Sequence, residues 1–180
     1  MRIIAGEWRG RKLVAPKGDA TRPTADRTRE TLFSMLVSRL GTFEGLSVVD
    51  LFAGSGALGL EALSRGAGHC LFVDEDAAAI RAIRANIDTL DARTRADVQQ
   101  GSVMRLGPAK AASDLILLDP PYHTGAGGVA LDRLLRLGWI NEATWMAVET
   151  AGDESVEVSG LSVETERKAG KAKITLLRAK

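Results

Sequence analysis

The chain has 180 residues, 45% hydrophobic and 26% charged, a balance that supports one folded core and excludes disorder over most of its length. Its single cysteine, Cys70, excludes an intramolecular disulfide and a cysteine-based zinc cluster, and suits a reducing compartment. The formal net charge of +1 hides an asymmetry, because residues 1–40 carry +5 and the remainder −4; this describes either a basic arm for a polyanion or an ordinary solvated surface.

In chain order, Ile3–Ala5 and Lys12–Ala15 flank a Gly6–Gly10 tip and predict a small hairpin. Arg2 and Glu7 interrupt any apolar stretch there, so it reads as no secretory signal. Pro16–Thr24 predicts a loop, and Leu32, Phe33, Leu36, Val37 and Leu40 recur at helical spacing from Asp26 to Leu40. After Gly45, buried strands alternate with amphipathic helices. Strands are predicted at Ser47–Phe52, Cys70–Val73, Asp97–Gln100, Asp114–Leu118 and Trp145–Glu149. Helices are predicted after Gly56, from Asp76 to Leu90, and around Leu131–Leu137. Leu161–Arg167 and Lys173–Arg178 close the chain as a pair with Gly170 at the turn. Such alternation specifies an α/β fold, a mostly parallel sheet with helices on both faces and an antiparallel edge hairpin. Residues 1–40 form the basic extension and 41–180 the core. No run of ~18 apolar residues occurs, so no membrane span is expected and the default location is cytoplasmic.

The run Asp50-Leu51-Phe52-Ala53-Gly54-Ser55-Gly56-Ala57-Leu58-Gly59 leaves a buried strand and enters a helix. Its glycines let the backbone approach a ligand, and GxGxxG alone fits a dinucleotide as well as another nucleoside. Asp74, twenty residues after Gly54, stands where an acid accepts from ribose hydroxyls. Asp50 separates the two readings. A carboxylate ahead of the loop repels a pyrophosphate but suits the sulfonium or ammonium of S-adenosylmethionine.

Asp119-Pro120-Pro121-Tyr122 ends the fourth predicted strand about seventy residues later, at the same carboxyl edge. The two prolines stiffen the turn and remove backbone donors. They leave the Asp119 carboxylate and the Pro120 carbonyl as fixed acceptors beside the flat face of Tyr122. Two acceptors gripping the N–H bonds of an exocyclic base amine aim its lone pair at a methyl carbon. The ring meanwhile stacks on the unpaired base. Asp119, Pro120 and Tyr122 are therefore the expected catalytic residues, and the chemistry needs no metal.

These segments resemble class I amino-methyltransferases. Arg2-Ile-Ile-Ala-Gly, Trp8-Arg-Gly-Arg-Lys, Thr21-Arg-Pro-Thr and Arg27-x-Arg-Glu-x-Leu-Phe-Ser-Met-Leu are similar to the bacterial 16S ribosomal RNA guanine-N2 methyltransferases. The resemblance covers essentially the whole chain and implies a Rossmann-like sheet. It also implies S-adenosyl-L-methionine as cofactor and 16S ribosomal RNA as partner, within a 30S subunit or assembly intermediate. Carried over by position, Asp50, Ala53, Gly54, Ser55 and Gly56 hold the methionyl part, and Asp74, with Glu75 as the weaker candidate, takes the ribose. Ser102 stands where relatives carry an acid for adenine, and the Val103 backbone is the substitute. Arg22, Arg27 and Arg29 contact RNA phosphate or help close the site, and with Arg2, Arg9 and Arg11 of the basic arm they are the expected RNA contacts.

The rival readings are a DNA adenine or cytosine amino-methyltransferase, an NAD-dependent dehydrogenase, and a non-catalytic RNA-binding assembly factor. Among other residues, Cys70, Trp139 and Trp145 read as core. His69 and Lys168, Lys171 and Lys173 read as surface. Trp8 suits RNA stacking as well as hairpin packing, and His123 suits either the substrate mouth or the surface.

Overall fold

A computed structural model describes residues 1–17 and 23–180. Arg22, one of the expected RNA contacts, lies outside the described residues. The helices are α1 (Pro23–Leu40), α2 (Ala57–Ser64), α3 (Ala77–Thr89) and α4 (Ala126–Arg136). The strands are β1 (Ser47–Leu51), β2 (His69–Asp74), β3 (Ala96–Gln100), β4 (Leu115–Leu118), β5 (Trp145–Ala151), β6 (Leu161–Ala169) and β7 (Ala172–Ala179). They form one sheet in the order β3-β2-β1-β4-β5-β7-β6. The first five are parallel, and β7 runs antiparallel to both β5 and β6. The predicted architecture is therefore the observed one.

Local chemistry explains the elements. β4 and the start of β5 are buried on both faces, as a sheet covered by helices on either side requires. α3 starts where the Asp76 side chain accepts from Ala78 N at 3.2 Å, a side-chain cap on an orphan donor. α1 begins three residues earlier than periodicity predicts, at Pro23; a proline at the first helical position gives up an N–H that has no helical partner.

Residue alternation splits the core in two. Val48, Phe72, Leu115, Leu117, Ala147 and Ile174 pack beneath α1, α2 and α3, together with Ile3, Trp8 and Leu13 of the amino-terminal arm. Val49, Leu51, Ile116, Leu118, Met146 and Val148 pack against Ala130, Leu131 and Leu134 of α4. Gly59, third of the glycines, serves this packing: a Cβ there would lie 2.4 Å from the Phe72 ring and 2.6 Å from Cys70 Sγ.

The predicted hairpin is present in short form: Ile3 N donates to Arg11 O, Gly10 N to Ile3 O and Leu13 N to Met1 O, each at 2.9 Å, around the Arg2–Lys12 bridge, and other backbone groups of the arm bond to the core. Glu61 of α2, fully buried, accepts from Ile4 N at 2.9 Å and Ala5 N at 3.1 Å. It also pairs with Arg65 at 2.9 Å and Arg29 at 3.6 Å. Ser64 accepts from Trp8 N at 3.0 Å. Gly6 passes so close that a Cβ would lie 1.9 Å from the Ser64 carbonyl oxygen. Asn86 of α3 donates to the carbonyls of Val14 and Ser55 at 2.9 and 2.8 Å and accepts from Val14 N at 2.8 Å. One amide thus ties arm, helix and glycine loop together. Among the described residues, no helix is long and apolar enough to cross a membrane.

Candidate active site

The carboxyl edge of the sheet carries the site. Leu115 and Leu117 face the α1–α3 core while Ile116 and Leu118 face α4, so continued alternation turns Asp119 toward the α1–α3 side. The same parity holds for Asp50 between Val49 and Leu51, for Asp74 after Phe72 and Val73, and for Glu149 after Ala147 and Val148. Four adjacent strands, β2-β1-β4-β5, therefore each carry an acid on one face near their carboxyl ends. Asp50 is the deepest, since it is level with Phe72 and Leu117.

Between β1 and α2 the chain turns through a strained loop. Phe52 adopts φ 55°, Gly54 φ 59° and Gly56 φ 82°, and for Phe52 this left-handed backbone has a real cost. Gly54 N donates to Asp74 Oδ2 at 2.9 Å, Ala53 N to Val73 O at 3.1 Å, and Gly56 N to Ala53 O at 2.8 Å. A Cβ on Gly54 would meet nothing within 4 Å: that side of the loop is open space. Ser55 looks inward instead, with Oγ accepting from Ala57 N at 3.3 Å and lying 3.7 Å from Met1 Sδ.

Asp50 is 1% exposed. Its Oδ2 accepts from Gly59 N at 2.9 Å, while Oδ1 has no partner. Burial, helped by the charge of Asp74 and opposed by the Gly59 bond, pushes its carboxyl up to about 8. A buried acceptor left bare in this way favours a cation alongside it. A methyl donor bearing a sulfonium and an ammonium fits that requirement, whereas a pyrophosphate does not. Asp74 has both oxygens engaged with backbone, Oδ1 taking Asp76 N at 2.9 Å, yet each oxygen keeps a lone pair for a hydroxyl. Glu75 is exposed at the same turn. Ser102 Oγ accepts from Met104 N at 3.2 Å, capping its own turn, and the Val103 side chain is buried in the α4-side core.

The Asp119–Tyr122 turn is held from three sides. Asp119 N donates to Leu51 O at 3.4 Å, which ties it to β1. Gly127 lets α4 close on Pro120, since a Cβ there would lie 3.2 Å from Pro120 Cγ and from Val148 Cγ1. Thr124 Oγ1 donates to Pro121 O at 2.8 Å. Tyr122 is 43% exposed, and its ring meets the His123 ring edge-on at 6.5 Å between centroids. His123, at φ 60°, is exposed, and its N–H donates to Glu154 Oε1 at 2.7 Å. Asp119 keeps its proton well above the ordinary carboxylate range, through enclosure by protein, the charge of the neighbouring Glu149, and the charge of Asp50. Its side chain still meets solvent, so screening tempers the effect without reversing its direction.

A separate hollow of about 620 Å³ lies on the α4 side behind the prolines, between Gly127, Thr150 and the Glu154–Ser159 segment. The four acids face the other way. Among the described residues, no three His, Cys, Asp or Glu side chains gather so as to hold a metal.

The structure revises several sequence expectations. Arg29 is 4% exposed and bonds to the Arg2 carbonyl, Asp26 and Glu61, so it is a structural cation and not a phosphate contact. Trp8 is 8% exposed with Arg95 lying 5.3 Å over its ring, which removes it from RNA stacking. Arg2, Arg9, Arg11 and Arg27 are exposed; Arg2 bonds to Gly10 O at 2.9 Å and Arg11 to Thr89 O at 2.8 Å. Lys173 is 8% exposed, 3.8 Å from Glu166, because β7 is an interior strand. His69 opens β2, half-buried, 2.8 Å from Asp97. Trp139 is only partly buried and donates to Gly107 O at 2.8 Å. Sequence reasoning missed Glu61, Asn86 and Glu149. The one legible signal was Glu61, a lone acid in the apolar helix ALGLEALS.

Comparison with known proteins places this geometry. Residues 1–178 match the family described as Conserved hypothetical protein 95. Ribosomal RNA small subunit methyltransferase D of Escherichia coli K12 is 35% identical over 172 residues, covering 94% of this chain and 85% of that protein. A putative rRNA methyltransferase, YlbH, of Bacillus subtilis is 44% identical over 126 residues, 68% of this chain and 67% of that one. Among solved structures, the putative methyltransferase yhhF from Escherichia coli superposes with a TM-score of 0.85 at 35% identity, covering 100% of this chain and 98% of that one.

Proposed function

The chain belongs to the Conserved hypothetical protein 95 family, with the ribosomal RNA small subunit methyltransferase D proteins, and on that premise we propose that it is a cytoplasmic ribosomal RNA methyltransferase. It transfers the methyl group of S-adenosylmethionine to the exocyclic N2 of a guanine in 16S ribosomal RNA, presented within a 30S subunit or an assembly intermediate. The observation that carries this reading is the row of acids on one face of the carboxyl edge, ending at the proline-stiffened Asp119 turn.

S-adenosylmethionine supplies an electrophilic methyl on a cationic sulfur. Asp50 and the Ala53–Gly56 loop hold its methionyl end, with the bare Asp50 Oδ1 offering the compensating charge. Asp74, with Glu75 beside it, takes the ribose, and the Ser102–Val103 backbone borders the adenine. Asp119 and the Pro120 carbonyl accept from the two N2 hydrogens, and Tyr122 stacks on the guanine. Fixing the amine favours a pyramidal nitrogen whose lone pair points along the carbon–sulfur axis, so the rate gain comes from orientation and preorganised charge. Arg2, Arg9, Arg11 and Arg27 grip RNA phosphates from the arm and α1.

The test is to incubate the protein and labelled donor with 30S particles lacking the modification, with naked 16S RNA, and with duplex DNA. The products are then digested to nucleosides. N2-methylguanosine from an RNA substrate is the expected product; label confined to DNA, or to adenosine or cytidine, overturns the proposal. Asp119→Ala lowers turnover on the order of 10²–10⁴-fold while calorimetry shows donor affinity within about threefold of wild type. Wild-type turnover in this variant removes Asp119 from the chemistry.

A further inference from the structure

Glu149 lies outside every motif in the sequence, yet it stands beside the reacting turn. β4 and β5 are parallel with Leu118 level with Val148, so the next residues, Asp119 and Glu149, are neighbours across the sheet on the same face. Glu149 stands close enough for its charge to raise the Asp119 proton affinity. Two carboxyl groups side by side repel when both are ionised, and one proton held between them removes that repulsion. Glu149 is half-buried and its register neighbour on β7 is the uncharged Ile174. The other charged group acting on Asp119 is Asp50 of β1, whose own neighbour is Asp74 of β2; both are acids. Among the described residues, the charged groups acting on Asp119 are therefore acids.

Resting on the methyl-transfer reading above, we propose that Glu149 is the positioning partner of Asp119, fixing its rotamer through a shared proton and receiving that proton as the guanine amine loses its own. Before reaction the pair carries one proton and one negative charge. The inner oxygen of Asp119 is bonded to Glu149, which leaves its outer oxygen to accept from N2. The N2 lone pair then forms the bond to the methyl carbon, and the carbon–sulfur pair departs with sulfur. The acidified N–H proton passes to the outer oxygen of Asp119 as its inner proton moves to Glu149. The pair ends neutral, matching the charge lost at sulfur. Asp119 alone offers one acceptor that swings freely about its side-chain torsions; with Glu149 the acceptor has one direction.

The experiment follows the carboxyl carbons of aspartate-labelled protein by NMR as pH is raised, with the Asp119 signal assigned through Asp119→Asn. Because a neighbouring acid raises the Asp119 proton affinity, Glu149→Gln should lower its titration midpoint by about one pH unit or more. A midpoint unchanged from wild type overturns the pairing. In parallel, Glu149→Ala should reduce kcat roughly tenfold or more with the Kd for donor and the KM for RNA within about threefold. Glu149→Gln, whose amide can donate to Asp119, should recover part of that loss. Wild-type kcat in Glu149→Ala overturns the positioning role. If the wild-type protein methylates no RNA, the methyl-transfer reading fails instead, and the titration still decides whether the two acids share a proton.

Discussion

Two buried carboxylates lie eleven residues apart in the chain, and their surroundings are opposite. Glu61, in the middle of α2, meets two backbone N–H groups and two arginines. Asp50, before the loop that leads into α2, meets one N–H and leaves an oxygen bare. Both are out of water, so both face the same desolvation cost. Glu61 offsets it inside the protein, and its network docks the arm on the core. Asp50 offsets it by holding a proton, up to about 8, until something cationic arrives. A completed network around a buried charge is a structural joint, and an incomplete one marks a candidate functional group.

The largest effect that could break this contrast is on folding. Glu61→Ala strands Arg29 without its buried counter-charge and should cost about 3–5 kcal/mol, seen as a lower urea midpoint and faster proteolysis of the arm. An unfolding free energy within about 0.5 kcal/mol of wild type would mean that the network is not the joint. Asp50→Asn should leave the fold intact but weaken donor binding about ten- to a hundredfold by calorimetry, the loss of a desolvated charge partner. Unchanged affinity would deny Asp50 its ligand.

The same substitution sharpens the pH argument. Folded Asp50 binds a proton that the unfolded chain releases above about 4, so its contribution to stability is greatest below that pH. The contribution declines as pH rises toward about 8. Wild-type stability should fall across that window, and Asp50→Asn should flatten part of the slope. Asp119, whose proton affinity is also raised, acts in the same direction. Donor binding should release a proton in this range, so affinity should climb with pH, by at most tenfold per unit. A pH-independent affinity would sever the link between the bare oxygen and the cation.

The smallest effect concerns the arginines. Arg27→Ala removes an exposed cation, and should weaken RNA binding and lower the slope of log affinity against log salt by about 1. Arg29→Ala, about half a helical turn away, should leave the salt slope alone and lower stability instead. Equal salt slopes for the two variants would erase the distinction between an RNA contact and a structural cation.

Much of the site was legible because its parts are local. A strand running into Gly54-Ser55-Gly56, and an apolar strand closed by Asp119-Pro120-Pro121-Tyr122, each bring their chemistry within a few residues, and strand–helix alternation sets them on one edge. The arm was harder. Its composition suggested an independent hairpin, and the cross-strand bonds are there, but the N–H groups of Ile4, Ala5, Glu7 and Trp8 go to Glu61 and Ser64, more than fifty residues away. A charge count treats Arg27 and Arg29 alike, and only the packing of α1 turns one outward and the other onto Glu61.

From the order of residues alone came the α/β class, the direction of the sheet, the glycine loop and the Asp119–Tyr122 turn, since periodicity and backbone constraint act over a few positions. Tertiary structure alone decided which charges are joined and which are left open: Arg29 against Glu61, Asp50 without a second partner, Glu149 level with Asp119. A charge's partner depends on register and helix rotation across long stretches of chain, and a shift of one residue turns a side chain to the opposite face of the sheet.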